Sequence, residues 1–541
     1  MAHKTVSMAL AAVGIFTLYL LTKTLIKTWQ NAAEARRLGC KPPASFPYIC
    51  PLGIDIVHKL MLARRQMRMP EWLREQLAKT STPSNPNNLT CAFRIVHTSG
   101  ILTADEANVH AMLSKQFDDF EVGRSRREIA RPLVGDSIFT TDGHVWKMLR
   151  SLVRPSFARH QVGDLDLDEK HVGNIMACLE TGSDGWTADV DLQTLMFRYS
   201  LDSSTEYLCG ASVGSQLKAL RAEKTTGDGD EIDFAAALDR AMESLAIRGQ
   251  FFEFGPYIWP RGFQKACLDC HAFIDKYVAR QQQRRSLAAA EKPKQPSADD
   301  ASSPPAAKDK YIFLDALAEN FPDPVELRHQ ILGVLFAGRD TTASLISWVF
   351  YNLARDPARY HKLRQVVLEQ FGGPAGDPSR VVTFEGLKDC RYLQHVINET
   401  ARLCPVVPVN SRLARRNTTL PRGGGPDGQS KVFVKKGTLV YFAPYIMGRR
   451  KDLWGEDADR FVPERWEGKR HGWEFIPFSG GPRICPGQQS ALTKTAYVIV
   501  RLLQRFDRIE SWDPEVHVKH DATATMCSGT GVKVRLHAAS C

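Results

Sequence analysis

A chain of 541 residues with 43% hydrophobic and 24% charged residues can bury a large core, which excludes a disordered polar chain. The net charge is +11, yet its basic clusters (Arg124, Arg126 and Arg127; Arg449, Arg450 and Lys451) are scattered and lack interleaved aromatics, which points to a membrane surface or an acidic partner and away from nucleic acid. The 12 cysteines form no dense framework, which reads as a reducing compartment, and the CxxC pair Cys267 and Cys270 lacks the second pair that a zinc site needs.

Residues 6–21, VSMALAAVGIFTLYLL, are almost wholly apolar, and Lys23 and Lys27 follow them. The run is slightly short for a bilayer, but lysines at its end can snorkel. A signal peptide would carry its positive charge ahead of the apolar run and a small-residue cleavage site behind it. Here Lys23, Lys27, Arg36, Arg37 and Lys41 come after the run. The expectation is an uncleaved, single-pass anchor over residues 1–28, with the rest of the chain on the cytosolic side. Pro42, Pro43, Pro47 and Pro51 predict a stiff hinge over residues 29–55, leading into a globular body over 56–541. Residues 286–310, rich in Ala, Pro, Ser and charge, predict a mobile surface loop. Long helical patterns dominate elsewhere, and β-prone pieces such as KVFVKKGTLVYF and GVKVRL come late. The body is therefore expected to be mainly helical with minor sheets.

Residues 331–353, ILGVLFAGRDTTASLISWVFYNL, contain two charges, Arg339 and Asp340, near their middle. As a membrane span the pair would cost roughly 5–7 kcal/mol, so a helix through the centre of a soluble body fits better. Asp340, Thr341 and Thr342 can relay protons into a dry cavity, and Ala337 and Gly338 leave room for a ligand against the backbone. An ordinary mid-helix Arg–Asp pair is the competing interpretation.

Residues 478–487 read FSGGPRICPG, a cysteine inside a run of glycine and proline. Such a thiol can be a nucleophile, a structural group, a zinc ligand or a haem ligand. No further zinc or iron–sulfur ligands lie nearby, and sequence cannot place a base beside it. A lone thiolate can hold haem iron if backbone N–H groups steady its charge, which Gly480, Gly481 and Gly487 would permit. This run resembles the cytochrome P-450 haem signature F-x-x-G-x-R-x-C-x-G, matched at Phe478, Gly481, Arg483, Cys485 and Gly487. Four more stretches resemble family motifs in the family's order. They are WKMLR (Trp146 and Arg150), AGRDTT (Ala337 to Thr342), ETAR (Glu399 and Arg402) and FVPERW with Arg465.

The resemblance implies the cytochrome P-450 fold, a large helical domain with a small sheet domain, and haem b held by Cys485. It implies Trp146, Arg150, Arg412 and Arg483 near the propionates and Phe478, Gly481 and Gly487 around the ligand loop. Ala337 and Gly338 would line the oxygen pocket, and Asp340 and Thr341 would manage protons for O2. Glu399, Arg402 and Arg465 would form a structural ion cluster. Electrons would come from NADPH through a microsomal reductase, with cytochrome b5 as a further donor, at the endoplasmic reticulum membrane. Other stretches resemble the fungal n-alkane and fatty-acid terminal hydroxylase branch. Candidate pocket residues are Ile138, Phe139, Phe336, Val407, Val409, Met526 and Cys527, mostly apolar and suited to a lipid-like substrate. CGASVG at 209–214 and Pro486 depart from that branch, which keeps a polyketide or terpenoid tailoring oxidation as the alternative. Hydroperoxide rearrangement without O2 and a non-catalytic haem or lipid carrier are more distant readings.

Overall fold

The computed structural model describes residues 2–50, 52–96, 98–222, 233–290, 311–373 and 380–539. Among the described residues helices dominate, with four small sheets. The central helix is Pro324–Leu353. Asp323 caps it by accepting from the Val325 N–H, and Pro324 sits where no helical N–H partner exists. It packs mainly on the Leu192–Cys209 helix, with Phe263–Ala290 and Gln488–Arg505 next, and its second half is buried almost without interruption. It stops at Leu353, and Pro357 opens the next helix, Pro357–Phe371.

The largest sheet has six strands in the order Ala44–Ser45, Thr90–Ile95, Thr98–Thr103, Leu439–Phe442, Asn410–Ala414 and Phe120–Glu121. The late β-prone pieces form strands Ser430–Val434, Leu439–Phe442 and Lys533–Ala538 as their alternation predicts. An early hairpin, Thr90–Ile95 against Thr98–Thr103, was not anticipated. It pairs Thr90 with Thr103 and turns at Val96, a non-glycine residue at φ 55°. Its signal was a β-branched run, TCAFRIVHTSGILT, lacking the Gly-rich turn that usually marks a hairpin.

Two expected boundaries move. The N-terminal helix runs from Ala2 to Arg37, so the first nine residues assigned to the hinge are helical. QNAAEARR carries no breaker before Gly39 (φ 69°), and the helix is tied to the body where the Asn417 amide donates to Asn31 and Glu34. The prolines that follow do not hang free either: Ala44 and Ser45 pair in parallel with Cys91 and Ala92, and Phe46 is buried. Residues 286–290 of the expected loop continue the helix Phe263–Ala290, and 291–310 lie outside the described residues.

Candidate active site

The loop that carries Cys485 is built by backbone constraints. The Cys485 N–H donates to the Phe478 carbonyl at 3.0 Å and the Ile484 N–H to Gly481 at 3.0 Å. Gly481 has φ 66°, and a Cβ there would stand 1.9 Å from the Leu113 carbonyl oxygen, so only glycine fits. The helix Gln488–Arg505 starts directly after the loop. Burial pushes the Cys485 thiol up, while the Gly487 N–H and the Arg150 guanidinium pull it back towards ionisation.

Cys485 opens into a cavity of about 1250 Å³. Across it stand Ala337, Gly338, Thr341 and Thr342 of the central helix. The Thr341 hydroxyl donates to the Ala337 carbonyl at 2.6 Å. Asp340, expected to manage protons together with Thr341, does not line the cavity. It is buried behind the wall, 3.0 Å from Arg339, whose guanidinium also binds Asp239 and lies over the Phe197 ring. At 3.6 residues per turn, adjacent positions diverge by about 100°, which takes Arg339 and Asp340 off the face that Ala337, Gly338, Thr341 and Thr342 present. The competing Arg–Asp pair is thus present. Burial raises the Asp340 carboxyl above its usual range, opposed by Arg339 and reinforced by Asp239. Asp239 is half exposed, so the ion-pair chain Asp239, Arg339, Asp340 runs from the surface inward.

The cavity's other distinctive feature is cationic. Arg126, Arg150, Arg412 and Arg483 all line it. Arg483 donates to Asp142 at 2.6 Å and to the Thr141 carbonyl at 2.9 Å, and stacks 4.2 Å from the Trp146 ring. Arg150 donates to the Ile484 carbonyl at 2.6 Å. Arg412 is held by the Ser411 carbonyl, and burial, followed by the like charges of Arg126 and Arg483, lowers it to about 9. Asp142 is the single carboxylate that acts on both Arg412 and Arg483. Buried guanidinium groups in such excess call for anions. A macrocycle carrying two carboxylates fits them, with the thiol of Cys485 facing the same cavity.

Arg126 was missed from sequence. It donates to Asn410 at 3.1 Å, and burial lowers its pKa. Its signal was positional: in RSRREIARPLV it shares a helix face with Ile129 and Leu133, at i, i+3 and i+7. An arginine inside an apolar stripe is seldom a solvated one.

Glu399, Arg402 and Arg465 meet in the core. Glu399 accepts from Arg402 at 2.8 Å through both oxygens, from Arg465 at 2.9 Å and from the Trp466 indole at 3.0 Å. Arg402 also caps the carbonyls of Ala458, Arg460 and Gly448. Among the pocket candidates, Ile138, Phe139, Phe336, Val407 and Val409 line the cavity. Met526 and Cys527 do not. Met526 is fully buried in the core, its carbonyl taken by the Trp348 indole, and the turn Ala522 to Thr525 lines the cavity in their place. The two residues lie on the strand that follows that turn, Met526–Ser528, where Cys527 is half-buried. Cys267 and Cys270 are buried thiols, both raised to about 12 by burial.

Residues 91–522 match the family model described as cytochrome P-450. Cytochrome P-450 monooxygenase g430 of Fusarium sp is 43% identical over 523 residues, spanning 96% of this chain and 88% of that one. Cytochrome P-450 monooxygenase alt2 of Alternaria solani is 42% identical, spanning 96% and 95%. Cytochrome P-450 52A13 of Debaryomyces hansenii is 38% identical, spanning 90% and 89%.

Proposed function

Because the chain belongs to the cytochrome P-450 family, whose members use haem with an axial cysteine, O2 and NADPH electrons delivered by a reductase, we propose that it is a membrane-bound monooxygenase that hydroxylates the end of a fatty-acid or alkane chain. In balance, one C–H bond, one O2, NADPH and a proton give an alcohol, water and NADP+. When bound, haem supplies the activation of O2 and the oxidation of the C–H bond.

The chain's own residues set the conditions. Cys485 is the proposed axial thiolate, steadied by the Gly487 N–H and Arg150. Arg126, Arg150, Arg412 and Arg483 with Trp146 hold the two propionates, and Phe478 borders the thiolate side. Gly338 and Ala337 keep the central helix thin where oxygen must fit. Thr341 presents its hydroxyl to the cavity, and Asp340 behind it, its carboxyl raised by burial, is the proposed proton donor. The apolar walls, Ile138, Phe139, Phe336, Val407 and Val409, exclude water and orient a hydrocarbon chain.

The observation that carries the substrate reading is the reach of the cavity. It extends from Cys485 and Thr341 outward to Leu60, Met69, Trp72 and Tyr257, with walls that are mainly apolar. A long flexible chain can fill such a path with one end at the reacting centre. The N-terminal helix, Ala2–Arg37, with an 18-residue window of mean hydropathy 1.5, would anchor the enzyme in the endoplasmic reticulum membrane with the body in the cytosol, where the reductase meets it. The tailoring reading retains support from Pro486 and from the residues after ETAR, where Val406 to Asn410 shape the space above the cysteine.

The test is reconstitution of the full-length enzyme with reductase and NADPH, presented with series of n-alkanes, n-fatty acids, polyketides and terpenoids. A low-to-high spin shift and a terminal alcohol from the linear chains are expected. Turnover confined to polycyclic substrates would replace the proposal with the tailoring reading. Consumption of hydroperoxides without any NADPH-dependent product would replace both.

A further inference from the structure

A second cleft, about 340 Å³, lies where the N-terminal helix meets the large sheet. Asn31, Ser45, Arg94, Ser99, Lys435 and Thr438 supply its polar lining, and Phe93, Ile101 and Phe433 its apolar floor. The helix is fixed over it by the bonds from the Asn417 amide to Asn31 (3.1 Å) and Glu34 (2.7 Å). Lys27 stands one turn before Asn31, on the same helix face.

Three cations from three elements therefore converge: Lys27 from the helix, Arg94 from the early hairpin and Lys435 from the loop before Leu439–Phe442. Desolvation and then the like charges of Arg94 and Lys27 lower Lys435. Among the described residues, the Arg94 guanidinium bonds to a backbone carbonyl, that of Val96. Glu34, the acid nearest on the helix, is bound to Asn417. Mutually repelling cations around a cleft with hydroxyl and amide donors form a receptor for a compact anion. The apolar run of the helix ends at Lys27, so the cleft stands at the level of lipid headgroups.

We propose that this cleft binds the phosphate headgroup of an anionic phospholipid in the membrane that the N-terminal helix enters, fastening anchor to sheet. The proposal rests on the membrane-anchor reading above. The phosphate would sit among Lys27, Arg94 and Lys435, with the Asn31 amide and the Ser45 and Ser99 hydroxyls donating to its oxygens.

The test uses the full-length, haem-loaded enzyme in vesicles of phosphatidylcholine alone or with roughly one phosphatidic acid in five, an anionic surface that attracts basic segments. Flotation reports the anchor, and native mass spectrometry after gentle extraction counts retained lipids. The wild type should float with both vesicles and retain phosphatidic acid selectively. The double variant Arg94→Gln, Lys435→Gln should still float and keep its haem spectrum, and lose about tenfold or more of that selectivity. Inorganic phosphate at millimolar levels should not displace the lipid. Retention that is equal for the two lipids, or unchanged in the double variant, would overturn the site. Displacement by inorganic phosphate would overturn the lipid as its source. Failure to float with pure phosphatidylcholine would overturn the anchor, and with it the headgroup, independently of the variants.

Discussion

At the scale of single residues, Cys485 stands between opposed effects. Burial disfavours its thiolate, while one backbone N–H and Arg150 favour it. Such a sulfur ionises fully only with a cation to share its charge, which is the reason for proposing it as the iron ligand. Cys485→Ser should abolish both turnover and the thiolate-type spectrum of the reduced, CO-bound haem; an unchanged spectrum would refute the ligand assignment. Gly481→Ala should cost at least about 1–2 kcal/mol for the left-handed backbone alone, and more for the clash with Leu113, seen as a lower melting temperature and lower haem content. Asp340→Asn tests proton supply. Product formation should fall about 100-fold or more while the substrate-induced spin shift persists. Because Asp340 also offsets Arg339, the protein's melting temperature has to be followed in parallel.

At the scale of elements, the central helix shows how one segment serves two sides. Thr341 and Thr342 face the cavity, whereas Arg339 and Asp340 face the neighbouring helices that contain Asp239 and Phe197. The helix Arg391–Leu403 carries another pair of buried charges, Glu399 and Arg402. Glu399 has no exposed surface and serves two arginines and an indole at once. Removing one member leaves buried guanidinium charge uncompensated. Glu399→Gln should therefore destabilise the fold by about 3–5 kcal/mol, measured by denaturant unfolding of the holoenzyme. A near-neutral result would show the cluster to be dispensable.

For the whole molecule, an acid-sensitive point lies between helices Phe263–Ala290 and Pro324–Leu353, where His271 and His329 face each other at 6.1 Å. Burial, then Arg328 and His271, lowers His329 from 6.5 to about 4, with Asp136 and Asp323 pulling weakly the other way. The unfolded chain therefore binds the proton first. Stability contributed by neutral His329 is present above about pH 6.5 and lost as pH falls towards 4. Melting temperature should drop across that window, and His329→Gln should flatten the drop. The amide of Asn88 in the sequon Asn88-Leu89-Thr90 is buried and bonded to Thr80 and to the Thr90 carbonyl. A glycan there would require the fold to open.

Sequence by itself determined the chemistry that is local in the chain. The cysteine loop, the central helix with its paired charges, the Glu399–Arg402 spacing and the apolar N-terminal run can all be read there because each needs particular residues at short, fixed separations. Tertiary structure decided what depends on which distant surfaces meet. It set Arg126 beside Arg412, turned Asp340 away from the cavity, replaced Met526 and Cys527 with the turn before them, and fastened the helix after residue 28 to Asn417. These outcomes follow from burial and charge balance between elements hundreds of residues apart, and no local pattern records such sums.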